Sequence, residues 1–318
     1  MFPLLLKPIA KDYLWGGTRL KEEFNKDSDY EIVAETWECS VHPDGLSVIV
    51  NGKYSGKTLK EVIKLYPEIM GEKYCKCEEL PIMIKFIDAA KNLSVQVHPN
   101  DEYARMHENQ NGKTEMWYIL DASDDAKLIY GFEKGVSKDK FVEAIKTGKI
   151  MDCLQQVPIN KGESYLIPAG TVHAIGAGTL IAEIQENSNV TYRLYDYDRI
   201  DKNGNKRELH LDKALEVALF DTPSNNASGK ELYSDEAYTL VELTNCEYFT
   251  VNKYDVKKSC CINVGNETFQ VLLCVDGDAT IECADKIFNI SKGQCIFLPA
   301  GIGRCDVIGT VEILNVIG

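Results

Sequence analysis

The sequence predicts a mainly β protein built as two related barrel units in tandem, with helical insertions in the first. Three observations lead to that class. Short runs rich in Val, Ile, Tyr and Thr, bounded by Gly, Pro, Asn or Asp, recur along the chain. One turn motif is written twice, as "GESYLIPAGTVH" from Gly162 to His173 and as "GQCIFLPAGIGR" from Gly293 to Arg304. Helical periodicity is confined to a few stretches that do not alternate regularly with the strands, which argues for antiparallel pairing and against a βαβ fold.

Each element follows from its local pattern. "LSVIVNG" (46–52), "LSVQVHP" (93–99), "EMWYILDA" (115–122), "KLIYGF" (127–132), "SYLIPA" (164–169), "TLIAEIQE" (179–186) and "VTYRLYDYD" (190–198) read as strands of the first unit. "TLKEVIKLYPEI" (58–69) opens on an N-capping Thr58 and sets Leu59, Val62, Ile63 and Tyr66 on one face of a helix. After Pro99, "NDEYARMHE" opens a helical turn. "SKDKFVEAIKTGKIMDCL" (137–154) reads as two short helices split near Gly148, and "HLDKALEVAL" (210–219) as another. The polar stretch "DTPSNNASGKELYSD" (221–235) reads as a linker. A cut near 225 gives a first domain, 1–225, with most of the helices, and a second β domain, 226–318. "YTLVEL", "FTVNKYDV", "FQVLLCVDGDATIEC" and "VEILNVIG" are the strands of the second unit, with an Asp-Gly hairpin signal at Asp276-Gly277.

Composition narrows the function classes. At 318 residues and 44% hydrophobic content, the chain has no apolar run of the roughly 18 residues that would span a bilayer. Its apolar start is broken by Pro3 and Pro8 and lacks a basic leader, so no signal peptide is expected and the expected compartment is the cytoplasm. The net charge of −14 disfavours nucleic acid, whose phosphates such a surface repels. An anionic small substrate would need a local cluster of Lys or Arg inside a pocket. The 11 cysteines are scattered without a CxxC pair, so zinc fingers are not expected and reduced thiols are. No heptad stands out, and a monomer is the default.

The repeated motif has a physical reading. Gly162 turns the chain into a strand, Pro168-Ala169-Gly170 turns it again with Gly170 at positive φ, and the next strand presents His173. The layout resembles the second conserved motif of the cupin superfamily, whose histidine points into the barrel and binds a metal. Gln96 and His98 stand at i and i+2 on one strand, so they project to one face, and Glu115 opens a later strand. Two imidazoles, a carboxylate and an amide oxygen suit a divalent metal with an open position. Zinc is natural for a non-redox site, and iron or manganese would also fit these ligands. His107 and His210 read as solvated, and His42 as a turn residue. The second copy has Arg304 in place of a ligand.

Taken together, "YLWGGTRL", "ETWECSVHPDG", "LSVQVHPND", "GKTEMWY" and "PAGTVHAIGAGTLIAEIQENSNVTYRLYDYDR" resemble the type I mannose-6-phosphate isomerase family in its short bacterial form. The resemblance runs in order along nearly the whole chain. It implies a tandem cupin-like (jelly-roll) fold with one zinc per chain, held by Gln96, His98, Glu115 and His173. It implies an aldose–ketose isomerase that interconverts mannose 6-phosphate and fructose 6-phosphate, so the expected partner is a phosphorylated hexose. By the same resemblance Arg193, Glu183 and Lys113 are the catalytic residues, and Lys85, Ser94, Lys113 and Arg193 contact substrate. The chemistry agrees: a base must move a proton between C1 and C2 through a cis-enediol, Glu183 being the candidate, and Arg193, always charged, suits a clamp. Trp15, Trp37 and Trp117 read as core residues. The alternatives are a metal cupin for another sugar phosphate and a non-catalytic phosphosugar-binding cupin.

Overall fold

The computed structural model describes residues 1–200, 204–223 and 227–318. The proposed cut near 225 therefore lies outside the described residues. The strands form sheets of ten, six and five members. The six-stranded sheet runs Ser164–Ile167, Glu115–Ala122, Thr179–Glu186, Ile82–Ala89, Glu35–Cys39, Ile9–Lys11. The five-stranded sheet runs Tyr192–Tyr195, Val95–Val97, His173–Ile175, Lys127–Phe132, Leu154–Pro158. The ten-stranded sheet is built by residues 230–317 and extended by Leu4–Lys7 and Val48–Ile49 from the N-terminal part. The chain's first strand thus crosses the boundary that composition suggests.

Packing explains the sequence pattern of the central strands. Ile82–Ala89 and Thr179–Glu186 are buried at every position. One face of their sheet puts Ile84, Phe86, Met116, Tyr118, Ala182 and Ile184 against Val251, Val271, Phe297 and Leu314 of the ten-stranded sheet. The other face carries the polar residues of the site. Buried on both sides, these strands read as near-continuous apolar runs broken by Lys85 and Asp88 in one and by Glu183 and Glu186 in the other. The five-stranded sheet turns its outer face to the helices Lys138–Lys146 and Leu211–Val217 through Val95, Val97, Phe141, Ala144 and Ala214.

The helices fall where their periodicity places them. Leu59–Leu65 begins with a reciprocal capping box between Thr58 and Glu61 and buries Leu59, Val62 and Ile63. Thr58→Ala is expected to cost about 1 kcal/mol, read as a lower urea midpoint with an unchanged slope.

Two expectations are corrected. Asp276-Gly277 is no hairpin: it lies inside the continuous strand Gln270–Cys283, where Gly277 at φ 74° follows a register shift between Cys274 and Asp276. The glycine serves a bulge. The hairpin turn is Ala284-Asp285, both at positive φ, closing Cys283 opposite Lys286. Second, the cysteines are not all free thiols. Cys283 and Cys305 face each other across an antiparallel pair at a Cα–Cα distance of 4.4 Å and form a disulfide.

Candidate metal centre and catalytic cavity

Cross-strand register assembles the site in two rows. On the five-stranded sheet, Gln96 lies opposite both His173 and Arg193. On the six-stranded sheet, Glu183 lies opposite Lys85 on one side and Trp117 on the other, and Lys85 lies opposite Trp37. Partners in register point to the same face, so each row presents its side chains together. Glu115, two residues before Trp117, joins the second row by the period of the strand. Between the rows lies a cavity of about 270 Å³ lined by Lys85, Ser94, Gln96, Lys113, His173, Glu183 and Arg193, with Trp15 and Trp117 as walls. His98 and Glu115 sit beneath it, 1% and 0% exposed. All nine residues singled out in the sequence therefore meet at one place.

His98, Glu115 and His173 place their ligand atoms within 4.8 Å of one another. Each imidazole turns its Nδ1 to a backbone carbonyl, His98 to Val190 O and His173 to Thr171 O, both at 2.8 Å. Those bonds set Nδ1 as the protonated nitrogen and leave an Nε2 lone pair on each ring. Both Nε2 atoms face Glu115, at 3.4 Å from Oε2 for His98 and from Oε1 for His173. Burial, and then Lys113, push His98 down to about 3, so it does not supply a proton here. Burial also lowers His173. Burial opposes the charge of Glu115, yet Lys113 and then His98 outweigh it and hold its carboxyl well below the usual carboxylate range. The outcome is imidazole lone pairs aimed at a carboxylate. His98 Nε2 and both Glu115 oxygens are buried without a well-directed hydrogen bond, Oε2 having only the ion pair with Lys113. Such a grouping is costly unless a cation lies among the atoms, so this donor set fits a divalent metal. Gln96 completes the corner: its Nε2 is 3.3 Å from His173 Nε2 and its Oε1 accepts from Ser94 Oγ at 3.4 Å.

Beside this centre runs an alternating chain of charges. Lys113 Nζ is 2.8 Å from Glu115 Oε2 and 3.9 Å from Glu183 Oε1; Lys85 Nζ is 3.0 Å from Glu183 Oε1 and 3.8 Å from Glu35 Oε2. Trp117 Nε1 donates to Glu183 Oε2 at 3.0 Å, and Trp37 Nε1 donates to Glu35 Oε2 at 2.7 Å. Burial works to lower Lys85, but Glu183 and then Glu35 outweigh it and raise it above the ordinary lysine value. Both lysines are buried and each is held by a carboxylate. Arg193 donates from Nε to Ser94 Oγ at 3.3 Å and from Nη1 to the Glu208 carbonyl at 2.8 Å.

Other candidates fall outside the cavity. His107 is exposed and stacks on Tyr103. His42 is a buried turn residue whose Nδ1 accepts from Asp44 N at 3.2 Å. His210 is not simply solvated: its Nδ1 accepts from the backbone N–H of Arg193 at 3.2 Å. Arg304, in the second copy of the motif, is exposed and pairs with Asp306 at 2.7 Å. Sequence reasoning missed Glu35 and Arg207, both in the cavity wall. Glu35 had a signal, since it stands two residues before Trp37 on one strand face; Arg207 lies in a polar loop with none.

Residues 4–131 match the family described as phosphomannose isomerase type I, catalytic domain, and residues 239–317 match mannose-6-phosphate isomerase, cupin domain. The chain is 37% identical to mannose-6-phosphate isomerase ManA of Bacillus subtilis, over 98% of each chain. It is 36% identical to mannose-6-phosphate isomerase of Streptococcus mutans, over 98% of this chain and 97% of that one. Its fold is similar to the crystal structure of the mannose 6-phosphate isomerase from B. subtilis, with a TM-score of 0.92 and 35% identity over 99% of each chain. A putative mannosephosphate isomerase from Archaeoglobus fulgidus has a TM-score of 0.77 at 20% identity, a likeness of fold alone. Among the described residues no helix is long and apolar enough to cross a membrane.

Proposed function

This chain belongs to the type I phosphomannose isomerase family, and we propose that it interconverts mannose 6-phosphate and fructose 6-phosphate with zinc held by His98, Glu115, His173 and Gln96. The observation that carries the reading is the pair of imidazole lone pairs aimed at the buried Glu115 carboxylate beneath the cavity. Gln96 takes part through its amide oxygen, which a rotation of the amide turns toward His173. Bound zinc supplies Lewis-acid stabilisation of the negative charge that develops on the sugar oxygens at C1 and C2.

The remaining work falls to this chain's own side chains. Glu183 takes the proton from C2 and returns it to C1. Trp117 and Lys85 grip one oxygen each, which fixes the direction of the carboxylate. Lys113, between Glu115 and Glu183, and Lys85 donate to sugar oxygens and offset charge in the transition state. Arg193, anchored by Ser94 and the Glu208 carbonyl, clamps the open-chain sugar. Catalysis then lies within residues 1–225, and residues 226–318 buttress the six-stranded sheet from behind.

The test combines metal analysis with a coupled assay on mannose 6-phosphate. One zinc per chain and turnover lost to a chelator and restored by zinc are expected. Zinc-loaded, folded protein without turnover would sink the isomerase reading. Saturable binding of the sugar phosphate in that case would favour the phosphosugar-binding alternative.

A further inference from the structure

The positive charge in this cavity is not evenly compensated. The deep lysines, Lys85 and Lys113, each contact a carboxylate at 3.0 Å or closer. The arginines at the other end do not share that balance. Asp196, buried, bridges Arg207 and Arg199: Arg207 Nε donates to its Oδ2 at 2.8 Å and Nη2 to its Oδ1 at 2.5 Å, and Arg199 Nη2 also donates to Oδ1. Among the described residues the Arg193 guanidinium donates to a hydroxyl and a carbonyl, and to no carboxylate. Arg193, Arg207 and Arg199 thus face one buried carboxylate, Asp196, and the exposed Glu208, which leaves an excess of positive charge in a chain whose net charge is −14. Burial, and then the nearby Arg207, lower Arg193 from its ordinary value, as expected for like charges facing one space. Among the described residues Arg193 Nη2 and Arg207 Nη1 have no protein partner, and both arginines line the cavity.

We propose that Arg207, held in place by Asp196, is a specificity residue that takes the substrate's phosphate monoester together with Arg193. The reading rests on the isomerase assignment above. It places the phosphate on the arginine pair and leaves Lys85 and Lys113, each paired with a carboxylate, to the sugar oxygens. A phosphate dianion neutralises the excess and meets planar donors whose geometry suits its oxygens. Asp196 acts as a positioning residue: two bonds from one carboxylate fix the Arg207 fork before substrate arrives, which lowers the ordering cost of binding.

The experiment compares wild type with Arg207→Met and Arg207→Lys in the zinc-loaded full chain. Steady-state kinetics on mannose 6-phosphate are paired with calorimetric titration of inorganic phosphate. Arg207→Met is expected to raise both KM and the phosphate Kd by about 10- to 100-fold. The loss should fall on KM and not on kcat, because the contact is made equally in ground and transition states. Arg207→Lys, which keeps charge without the fork, should fall in between, and it carries the test if circular dichroism shows Arg207→Met unfolded. A merely structural Arg207 would lower Tm and leave the phosphate Kd of folded protein where it was; that result overturns the proposal. An inactive wild type that still binds phosphate through Arg207 would overturn the isomerase reading and spare the arginine pair.

Discussion

His173→Ala is expected to lose both bound metal and isomerase activity. His173 is fully buried, with Nδ1 tied to the Thr171 carbonyl and Nε2 aimed at Glu115 Oε1. Removing it deletes one of the two imidazoles and leaves His98, Glu115 and the amide oxygen of Gln96, a set that should hold an ion far more weakly. Loss of an outer partner of a ligand typically costs about 10- to 100-fold in metal affinity, so loss of the ligand itself should exceed that. Elemental analysis after dialysis reads the metal, and the coupled assay reads the activity. Arg304→Ala is the matching comparison in the second copy of the motif. Arg304 is exposed and touches Asp306, so metal and turnover should stay at wild-type values. A His173→Ala protein that retained one tightly held zinc would refute the ligand assignment. An Arg304→Ala protein without zinc would refute the view that one copy of the motif is functional.

That pair of residues shows what sequence could and could not supply. The double turn was legible because it rests on backbone chemistry: Gly162 and Gly170 adopt φ of 89°, and Gly293 and Gly301 adopt 88° and 73°. The strand-borne ligand candidates were legible too, because period and order set Gln96 and His98 on one face and Glu115 at the start of a later strand, whatever the remote partners are; Glu183 was found only through the family resemblance. What failed was long-range or ambiguous. Nothing local in "LLLK" says that it will pair with Cys295–Leu298 some 290 residues later. Asp-Gly serves bulges as well as hairpins. Cys283 and Cys305 meet only because a strand register sets them opposite. Arg207 sits in a loop whose meaning comes from a carboxylate, Asp196, on the far side of a turn. Trp15 and Trp117 read as core and are buried, yet each also walls the cavity, a double role that hydrophobicity cannot distinguish.

Glu183→Gln is expected to keep the metal and lose about 100- to 10,000-fold in kcat, the range for removing a general base. The two readouts separate because Glu183 touches Trp117, Lys85 and Lys113 but none of the residues that converge on Glu115 from the imidazole side. The amide keeps the shape of the carboxylate and can still accept from Trp117, so the cavity should hold its form. Stability should fall, since Lys85 is buried and loses its nearer carboxylate. The loss should stay below the roughly 3–5 kcal/mol of a buried pair broken outright, because Glu35 remains 3.8 Å from Lys85 Nζ. Solvent-proton exchange gives the sharper measurement. With a working base, deuterium from the solvent enters the product at the carbon that receives the proton; with the amide, both exchange and turnover should fall together. Wild-type kcat in a folded, zinc-loaded Glu183→Gln protein would move the proton transfer to another group. Lys85 would then be the first to test, as it lies nearer to Glu183 Oε1, at 3.0 Å, than Lys113 does at 3.9 Å.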